Sequence, residues 1–202
     1  MSEASTAAII LAAGASTRFG TPKQLLDWQG QPLLRQVVLQ ALATPASQIV
    51  VVLGAHFRRV AAVIHGLPVT LAYNPHWQRG MSSSVALGLR AVRGQEDAAL
   101  FLLADQPNVS SDLITRVIRA YASTRAPIVA PRHRKQRGNP VLFARELFPD
   151  LMQITGDQGG RPLIRRYRGR VHWLEADASI LYDIDRPQDV PKRPGAPDSR
   201  LP

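Results

Sequence analysis

The stretch ILAAGASTRFGTPKQLL, from Ile10 to Leu26, decides the fold class of this chain. Its apolar beginning breaks at Gly14, and Arg18 and Lys23 follow before apolar residues resume. In open α/β sheets, ligands bind in such loops at the carboxyl ends of strands. Glycines let backbone N–H groups approach an anion, while an arginine fork and a lysine charge can bind phosphate oxygens. The stretch therefore predicts a buried strand followed by a phosphate-binding loop.

The loop reads G-x-x-x-R-x-G-x-P-K from Gly14 to Lys23, and this spacing separates it from two well-known glycine-rich loops. It is not a dinucleotide fingerprint, because no glycine stands at position 16 or 17. It is not a Walker A loop either, since Thr21 and Pro22 separate Gly20 from the lysine. Taken alone, the pattern also allows a surface turn that carries two unrelated cations.

Short apolar runs alternate with amphipathic stretches along the chain. Nearly all-apolar runs predict parallel strands whose two faces are both covered, at Ala7–Ala13, Ile49–Leu53 and Ala98–Ala104. Apolar residues spaced three and four apart predict helices at Pro32–Ala43, Ser82–Val92 and Asp112–Ala122, the last capped by Ser110 or Ser111. Further strands are predicted at Val69–Tyr73, Ile128–Ala130, Val141–Phe143 and Val171–Leu174. The alternation predicts an α/β fold with three layers, α/β/α, around a mostly parallel sheet.

The length and composition predict one globular domain. Hydrophobic residues make up 45% and charged residues 20% of the 202 residues, which is ordinary for such a domain. We expect the domain to span residues 1–190, and the proline-rich polar segment 191–202 to be a disordered tail. The absence of cysteine excludes disulfides, cysteine-based zinc sites and thiol nucleophiles, and it suits a cytoplasmic protein. The first residues resemble neither a signal peptide nor a membrane span.

The chain is basic, and its charge is unevenly distributed. It has 25 basic and 15 acidic residues, a net charge of +10, with clusters at Arg132–Arg137 and between Arg161 and Arg170. Such clusters attract nucleic acid, membranes or phosphorylated small molecules, or they form a solvated surface. No aromatic residue interrupts the first cluster, which argues against base stacking. Charge alone leaves a phosphorylated small molecule and a solvated surface open, and we expect neither a nucleic acid nor a membrane as a partner.

Two further sites are candidates on residue type alone. Asp105 follows the apolar run AALFLLA, so a strand delivers its carboxylate to the carboxyl edge of the sheet. Mg²⁺ prefers one or two carboxylates together with phosphate oxygens, although a turn residue before Pro107 is the alternative. The run Ser82–Ser84 fits a helix N-cap and would also suit contacts to a ribose or a base.

The loop closely resembles the signature L-A-[AG]-G-x-x-x-R-[FM]-G-x-x-K of the MobA-like nucleotidyltransferases. Within this family it is most similar to the molybdenum cofactor cytidylyltransferases. The resemblance implies a Rossmann-like nucleotidyltransferase fold in which the loop holds a triphosphate and the lysine holds its α-phosphate. These roles fall on Leu11, Ala12, Ala13, Gly14, Arg18 and Lys23.

Two later segments extend the resemblance on the nucleotide side. GMSSSVALGL is similar to a family segment that borders the nucleotide, which implies contacts at Gly80, Ser82 and Ser83. LLADQPNV resembles the D-x-P metal motif of the family. This likeness makes Asp105 a magnesium ligand and a nucleotide contact.

The remaining segments concern the acceptor and a second metal ligand. GNPVLF and GDQGGRPLI match family segments that face the second substrate, which implies acceptor contacts at Asn139, Asp157 and Arg161. Relatives often have histidine where this chain has Asn139. YDIDRPQDV resembles the I-D-x-P-x-D terminus of the family and implies Asp185 as the second metal ligand. Asp183 in that role, or Asp185 as a helix cap, are the alternatives.

The resemblance implies transfer of CMP from CTP to the phosphate of molybdopterin or the molybdenum cofactor, with Mg²⁺ bound and pyrophosphate released. Arg18, Lys23 and Asp105 would be the catalytic residues. Members that use GTP carry L-A-G-G in the loop, so Ala13 favours CTP. The alternatives are another phosphorylated acceptor, such as a sugar phosphate or methylerythritol phosphate, and a catalytically silent accessory protein. A molybdenum enzyme or its maturation factor would be a partner.

Overall fold

A computed structural model describes residues 4–94 and 96–190 of the chain. The strands are β1 Thr6–Ala12, β2 Asp27–Trp28, β3 Gln31–Pro32, β4 Gln48–Leu53, β5 Thr70–Tyr73, β6 Ala98–Leu103, β7 Ile128–His133, β8 Gln136–Arg137, β9 Val141–Ala144 and β10 Val171–Glu175. The α-helices are α1 Leu33–Leu42, α2 Phe57–Ala62, α3 Met81–Ala91, α4 Ser111–Thr124, α5 Phe148–Gln153 and α6 Arg161–Arg166. No helix in the described ranges is long and apolar enough to cross a membrane. The predicted tail lies outside the described residues.

The main sheet has the strand order β10-β7-β9-β6-β1-β4-β5, with β8 paired to β7. β1 pairs in parallel with β4 and with β6, β4 with β5, and β10 with β7. β9 lies between β6 and β7 and runs antiparallel to both. The predicted α/β fold with a mostly parallel sheet is therefore confirmed.

Alternate residues of the central strand enter two cores, one on each face of the sheet. Ala8 and Ile10 pack with residues of α1 and α4. Ala7 and Ile9 pack with residues of α3, α5 and α6. All four side chains are completely buried, and a buried isoleucine contributes about 1.5–3 kcal/mol relative to an exposed one. Coverage of both faces explains why the strand sequence is apolar without alternation.

The three predicted helices are confirmed as α1, α3 and α4, with ends that agree to within two residues. Ser110 caps α4, since its Oγ accepts a hydrogen bond from the backbone N–H of Leu113 at 3.3 Å. The sequence did not predict α2, α5 and α6, which have six residues each. Fewer than two helical turns carry too little periodicity to be recognised.

A small third core fixes the last described segment beside the central strands. Ile184 is completely buried against Trp28 and Leu33. Its backbone N–H donates to the carbonyl oxygen of Asp105 at 3.0 Å. The residues on either side of Ile184 consequently lie at the carboxyl end of β6.

Candidate functional site

A cavity of about 370 Å³ opens at the carboxyl ends of β1 and β6, beside the N-terminus of α3. Most residues predicted to bind the nucleotide line it, together with both predicted metal ligands and Asp157 from the predicted acceptor side. These residues are Leu11, Ala12, Ala13, Gly14, Arg18, Lys23, Gly80, Asp105, Asp157 and Asp185. The cavity therefore lies where an open α/β sheet binds its ligands.

Two polar residues that the sequence did not single out hold the loop after β1. Gln24 is buried, and its Nε2 donates to the carbonyl oxygens of Ala12 at 3.0 Å and Gly14 at 2.9 Å. The Oγ of Ser16 accepts a hydrogen bond from the backbone N–H of Lys23 at 3.0 Å and donates to Gln24 Oε1 at 3.4 Å. Because buried polar groups need partners, these bonds fix the course of the loop around the cavity.

The loop presents an open glycine and an unpaired guanidinium. A Cβ built at Gly14 would meet no protein atom within 4 Å, so packing does not explain the glycine. Close approach of a ligand to the backbone would explain it. Arg18 is exposed at the cavity and has no hydrogen bond or ion pair with another described residue. Its N–H groups are thus available to an oxyanion.

Lys23 joins the two carboxylates that the sequence linked to metal binding. Its Nζ lies 2.9 Å from Asp105 Oδ2 and 3.0 Å from Asp185 Oδ1. Burial opposes the charge on the ammonium, but attraction by Asp105 and then Asp185 outweighs it, so the pKa of Lys23 is raised. Lys23 is therefore a fixed positive charge at neutral pH.

The same carboxylates fit a divalent cation. Oxygens of Asp105 and Asp185 converge on one cationic atom, at distances that show they can share a single positive charge. Within the described ranges, no three His, Cys, Asp or Glu side chains form a group that could hold a metal ion. A cation at these two carboxylates would take further oxygens from a phosphorylated ligand, which is the preference of Mg²⁺.

Asp183 faces a different partner. Gln106 Nε2 donates to its Oδ1, and Asp183 does not line the cavity. Burial raises the pKa of Asp183, and the negative charges of Asp105 and Asp185 act in the same direction against the opposing bond from Gln106. Asp185 does not cap the following turn either, since it is the carboxylate of Asp189 that accepts from the backbone N–H groups there. Of the two candidates for the second metal ligand, only Asp185 therefore lines the cavity.

The N-terminus of α3 is fixed by the loop at residues 156–157. The Met81 N–H donates to Asp157 Oδ1 at 3.2 Å, and the Ser82 N–H donates to the Gly156 carbonyl oxygen at 3.1 Å. A Cβ at Gly80 would lie 2.5 Å from the Gly156 carbonyl carbon, and the φ of Gly80 is +96°. Only glycine therefore allows the two backbones to approach this closely.

The serine run has a different role from the predicted N-cap. The N-terminus of α3 is capped by Gly156 and Asp157, so the interpretation of Ser82–Ser84 as a capping run is wrong. Ser82 is buried, and Asn74 Nδ2 donates to the Oγ of both Ser83 and Ser84 at 2.9 Å. The cavity is lined by Ser84 rather than by Ser82 or Ser83, whose nucleotide contacts stay predictions.

A second, smaller cavity of about 70 Å³ lies on the other side of Met81. It is lined by two of the predicted acceptor residues, Asn139 and Arg161, and by Arg137, which had been recognised in the sequence only as part of a basic cluster. Leu11, Met81 and Leu103 line both cavities. The two cavities therefore adjoin along three apolar side chains.

Residues 8–171 match the model of the MobA-like NTP transferase domain. The chain is 30% identical over 190 residues to nicotine blue oxidoreductase of Paenarthrobacter nicotinovorans, covering 88% of this chain and 90% of the relative. It is 27% identical over 188 residues to molybdenum cofactor cytidylyltransferase of Escherichia coli, with 90% and 91% covered. Rv0371c from Mycobacterium tuberculosis superimposes with a TM-score of 0.85 at 28% identity, over 94% of this chain and 96% of that chain. The structure of Rv0371c in complex with manganese gives a TM-score of 0.80 at 25% identity, with 92% and 95% covered.

The mostly parallel sheet, the cavity at its carboxyl edge and these matches together identify a nucleotidyltransferase fold. The domain match and the relatives go one step further. The chain belongs to the MobA-like NTP transferase family.

Proposed function

We propose that this protein transfers CMP from CTP to the phosphate of molybdopterin or the molybdenum cofactor and releases pyrophosphate. The observation that carries the proposal is the convergence of Lys23, Asp105 and Asp185 beside an open glycine loop. The likeness to the Escherichia coli cytidylyltransferase supports the choice of nucleotide and acceptor.

In the proposed reaction, an oxygen of the acceptor phosphate attacks the α-phosphorus of CTP. A new P–O bond forms, the bond from the α-phosphorus to the β-bridging oxygen breaks, and pyrophosphate leaves with that oxygen. A phosphate monoester with a second pKa of about 6 is already largely ionised at pH 7, so no general base is needed. The protein contributes positioning and charge neutralisation.

The loop residues would provide most of that neutralisation. Backbone N–H groups around Gly14 and the unpaired guanidinium of Arg18 would bind the triphosphate. Lys23 would bind the α-phosphate, which is the role that the resemblance of the loop to the family signature implies. Its side chain is only 14% exposed, which strengthens its attraction for an anion.

Asp105 and Asp185 would hold Mg²⁺. The ion, when bound, neutralises charge on the phosphate oxygens. The manganese complex of Rv0371c supports a divalent cation in a relative of this fold. Asp183, which is bonded to Gln106 instead, is the weaker candidate for the second ligand.

Base choice is assigned to Ala13. This residue is buried at the cavity, and its Cβ lies against Gly54, where an added Cβ would come within 2.9 Å. In the proposed complex the base would lie beside Ala13, where the methyl group would leave less room for a two-ring purine than a glycine would. We therefore infer a preference for CTP over GTP.

Two other functions stay open as alternatives. A nucleotidyltransferase for a sugar phosphate or methylerythritol phosphate would use the same nucleotide cavity. An accessory protein that binds a nucleotide for the maturation of a molybdenum enzyme would use it without turnover. The relative named nicotine blue oxidoreductase makes a direct assay necessary, because family membership does not fix the reaction.

The test offers each of the four ribonucleoside triphosphates with Mg²⁺ and molybdopterin, and measures pyrophosphate release and the dinucleotide product. We expect both products with CTP, and much less of either with GTP. Pyrophosphate release only with another phosphorylated acceptor would support the first alternative. Tight CTP binding without release of pyrophosphate for any acceptor would support the second.

A further inference from the structure

The basic cluster Arg132–Arg137 divides into surface cations and one inward arginine. Arg132 Nε pairs with Glu175 Oε1 at 2.6 Å, and His133 Nδ1 lies 2.9 Å from a carbonyl oxygen. Lys135 is exposed in the turn between β7 and β8. Of this cluster, only Arg137 lines the second cavity. It stands at the end of β8 and is half-buried.

Arg137 is a half-buried cation without a protein counter-charge. Its guanidinium has no hydrogen bond or ion pair with another residue in the described ranges, and neither has the guanidinium of Arg161, which lines the same cavity. Burial lowers the pKa of Arg137, and the positive charge of Arg161 lowers it further. Two cations held together without a carboxylate are costly unless an anion joins them.

The rest of the cavity indicates what kind of anion fits. Asn139 and Gln158 add polar groups near the arginines, while Phe101 and Phe143 lie edge to face and form an apolar side. One water needs about 10–15 Å³, so a cavity of about 70 Å³ has room for a group of roughly five heavy atoms. A phosphoryl group has this size, whereas a whole nucleotide does not fit.

We propose that Arg137 and Arg161 form an anion clamp that binds the phosphate monoester of the acceptor and sets the specificity for a phosphorylated acceptor. This proposal rests on the proposed function and deepens it. Two guanidinium groups suit the two negative charges of a phosphate monoester better than one carboxylate charge or a neutral hydroxyl. Arg137 is then a specificity-determining residue in addition to the predicted Arg161.

The shared lining of the two cavities explains why a clamp at this place would serve the reaction. Leu11, Met81 and Leu103 line both cavities, so an anion held by Arg137 lies next to the nucleotide cavity. The clamp offsets the repulsion between two phosphorylated substrates before they meet. A half-buried arginine that only extends along apolar surface would not have this effect.

The test uses phenyl phosphate as the probe, with CMP present to occupy the nucleotide cavity, and follows ³¹P line broadening. Binding to the wild type is compared with Arg137→Gln, Arg161→Gln and the control Lys135→Gln. Lys135→Gln removes the same charge from the same hairpin outside the cavity. The same four proteins are assayed with CTP and molybdopterin.

We expect Arg137→Gln and Arg161→Gln each to weaken phenyl phosphate binding by about 10–100-fold, the range for hydrogen bonds between charged groups. In both arginine variants the KM for molybdopterin should rise in parallel, while the KM for CTP stays within about twofold of wild type. In Lys135→Gln, the affinity for phenyl phosphate and the KM for molybdopterin should both stay within about twofold of wild type. Melting temperature identifies a variant that does not fold, and the exposed position of Arg161 keeps that arm of the test valid.

Three outcomes are decisive. No binding of phenyl phosphate by the wild type, or equal binding by Arg137→Gln, overturns the clamp. Turnover with an unchanged acceptor KM in Arg137→Gln overturns the clamp and leaves the proposed function intact. Loss of phenyl phosphate binding in both arginine variants, without turnover of CTP and molybdopterin by the wild type, supports the clamp and contradicts the proposed function.

Discussion

Replacing Asp105 by asparagine tests the carboxylate pair with the smallest change in shape. Lys23 loses a charged partner at 2.9 Å and keeps Asp185 at 3.0 Å. The side chains of Lys23 and Asp105 are 14% and 27% exposed. An exposed ion pair contributes about 0–1 kcal/mol to stability, and removing one partner of a buried pair costs about 3–5 kcal/mol. The partly exposed pair of Lys23 and Asp105 falls between these two cases. With one partner left, we expect a loss of about 1 kcal/mol, or roughly 2–4 °C in Tm for a chain of this size.

The expected effect on activity is much larger. Loss of one such electrostatic element commonly lowers the rate by about 10²–10³-fold, because a neutral amide holds Mg²⁺ and its phosphate ligand poorly. Pyrophosphate release from CTP and molybdopterin, measured across a Mg²⁺ titration, gives kcat/KM and the apparent metal affinity. Electron paramagnetic resonance of Mn²⁺ measures metal binding without turnover.

Asp185→Asn is the matched control, since Asp185 shares Lys23 but is 55% exposed. It should cost less stability than Asp105→Asn and still weaken Mn²⁺ binding. Near-normal turnover and Mn²⁺ affinity in Asp105→Asn would remove this residue from the metal site. A fall in Tm several times larger than expected would instead show that the carboxylate is mainly structural.

Arg18 in the loop, Ala13 and the carboxylate of Asp183 allow three further tests. Arg18→Ala should weaken CTP binding, which can be measured through the fluorescence of Trp77 at the cavity. Arg18→Lys should restore only part of the CTP affinity, because a point charge does not replace a bidentate fork. Wild-type affinity in Arg18→Lys would contradict this role. In the wild type, kcat/KM should be about 10–200-fold higher with CTP than with GTP. In Ala13→Gly this preference for CTP should become smaller without reversing. A wild-type preference for GTP would refute the assignment of base choice to Ala13. Burial raises the pKa of Asp183, so the folded chain binds this proton more tightly than the unfolded chain, and stability falls as the pH rises above the unfolded pKa of about 3.9. Asp183→Asn should therefore raise Tm at pH 7 by an amount that shrinks toward pH 4, and a lower Tm at pH 7 would contradict the sign.

The strands were predictable because their apolar runs follow directly from burial on both faces. Ala98–Ala104 was predicted and Ala98–Leu103 is observed, since β6 lies at the centre of the sheet with helices on each side. The direction of β9 was not predictable in this way. An apolar run has the same composition in a parallel and an antiparallel strand, and only the position of β9 between β6 and β7 determines its pairing.

The cations of the loop were predictable from local spacing, but the residues that hold the loop were not. Gln24 stands in an ordinary-looking KQLL sequence, and its function comes from two carbonyl oxygens that the fold turns toward it. The choice between Asp183 and Asp185 was open for a related reason. Burial of Ile184 leaves both aspartates near β6, and the tertiary partners Gln106 and Lys23 distinguish them.

The contact between α3 and the loop at 156–157 links the two cavities mechanically. Gly80 has no room for a Cβ against Gly156, so the start of α3 cannot move without the loop that leads into the acceptor cavity. Met81, the first residue of α3, lines both cavities and donates its N–H to Asp157. Close-packed elements of this kind shift together rather than singly. A ligand that repositioned Met81 from one cavity would therefore also change the lining of the other.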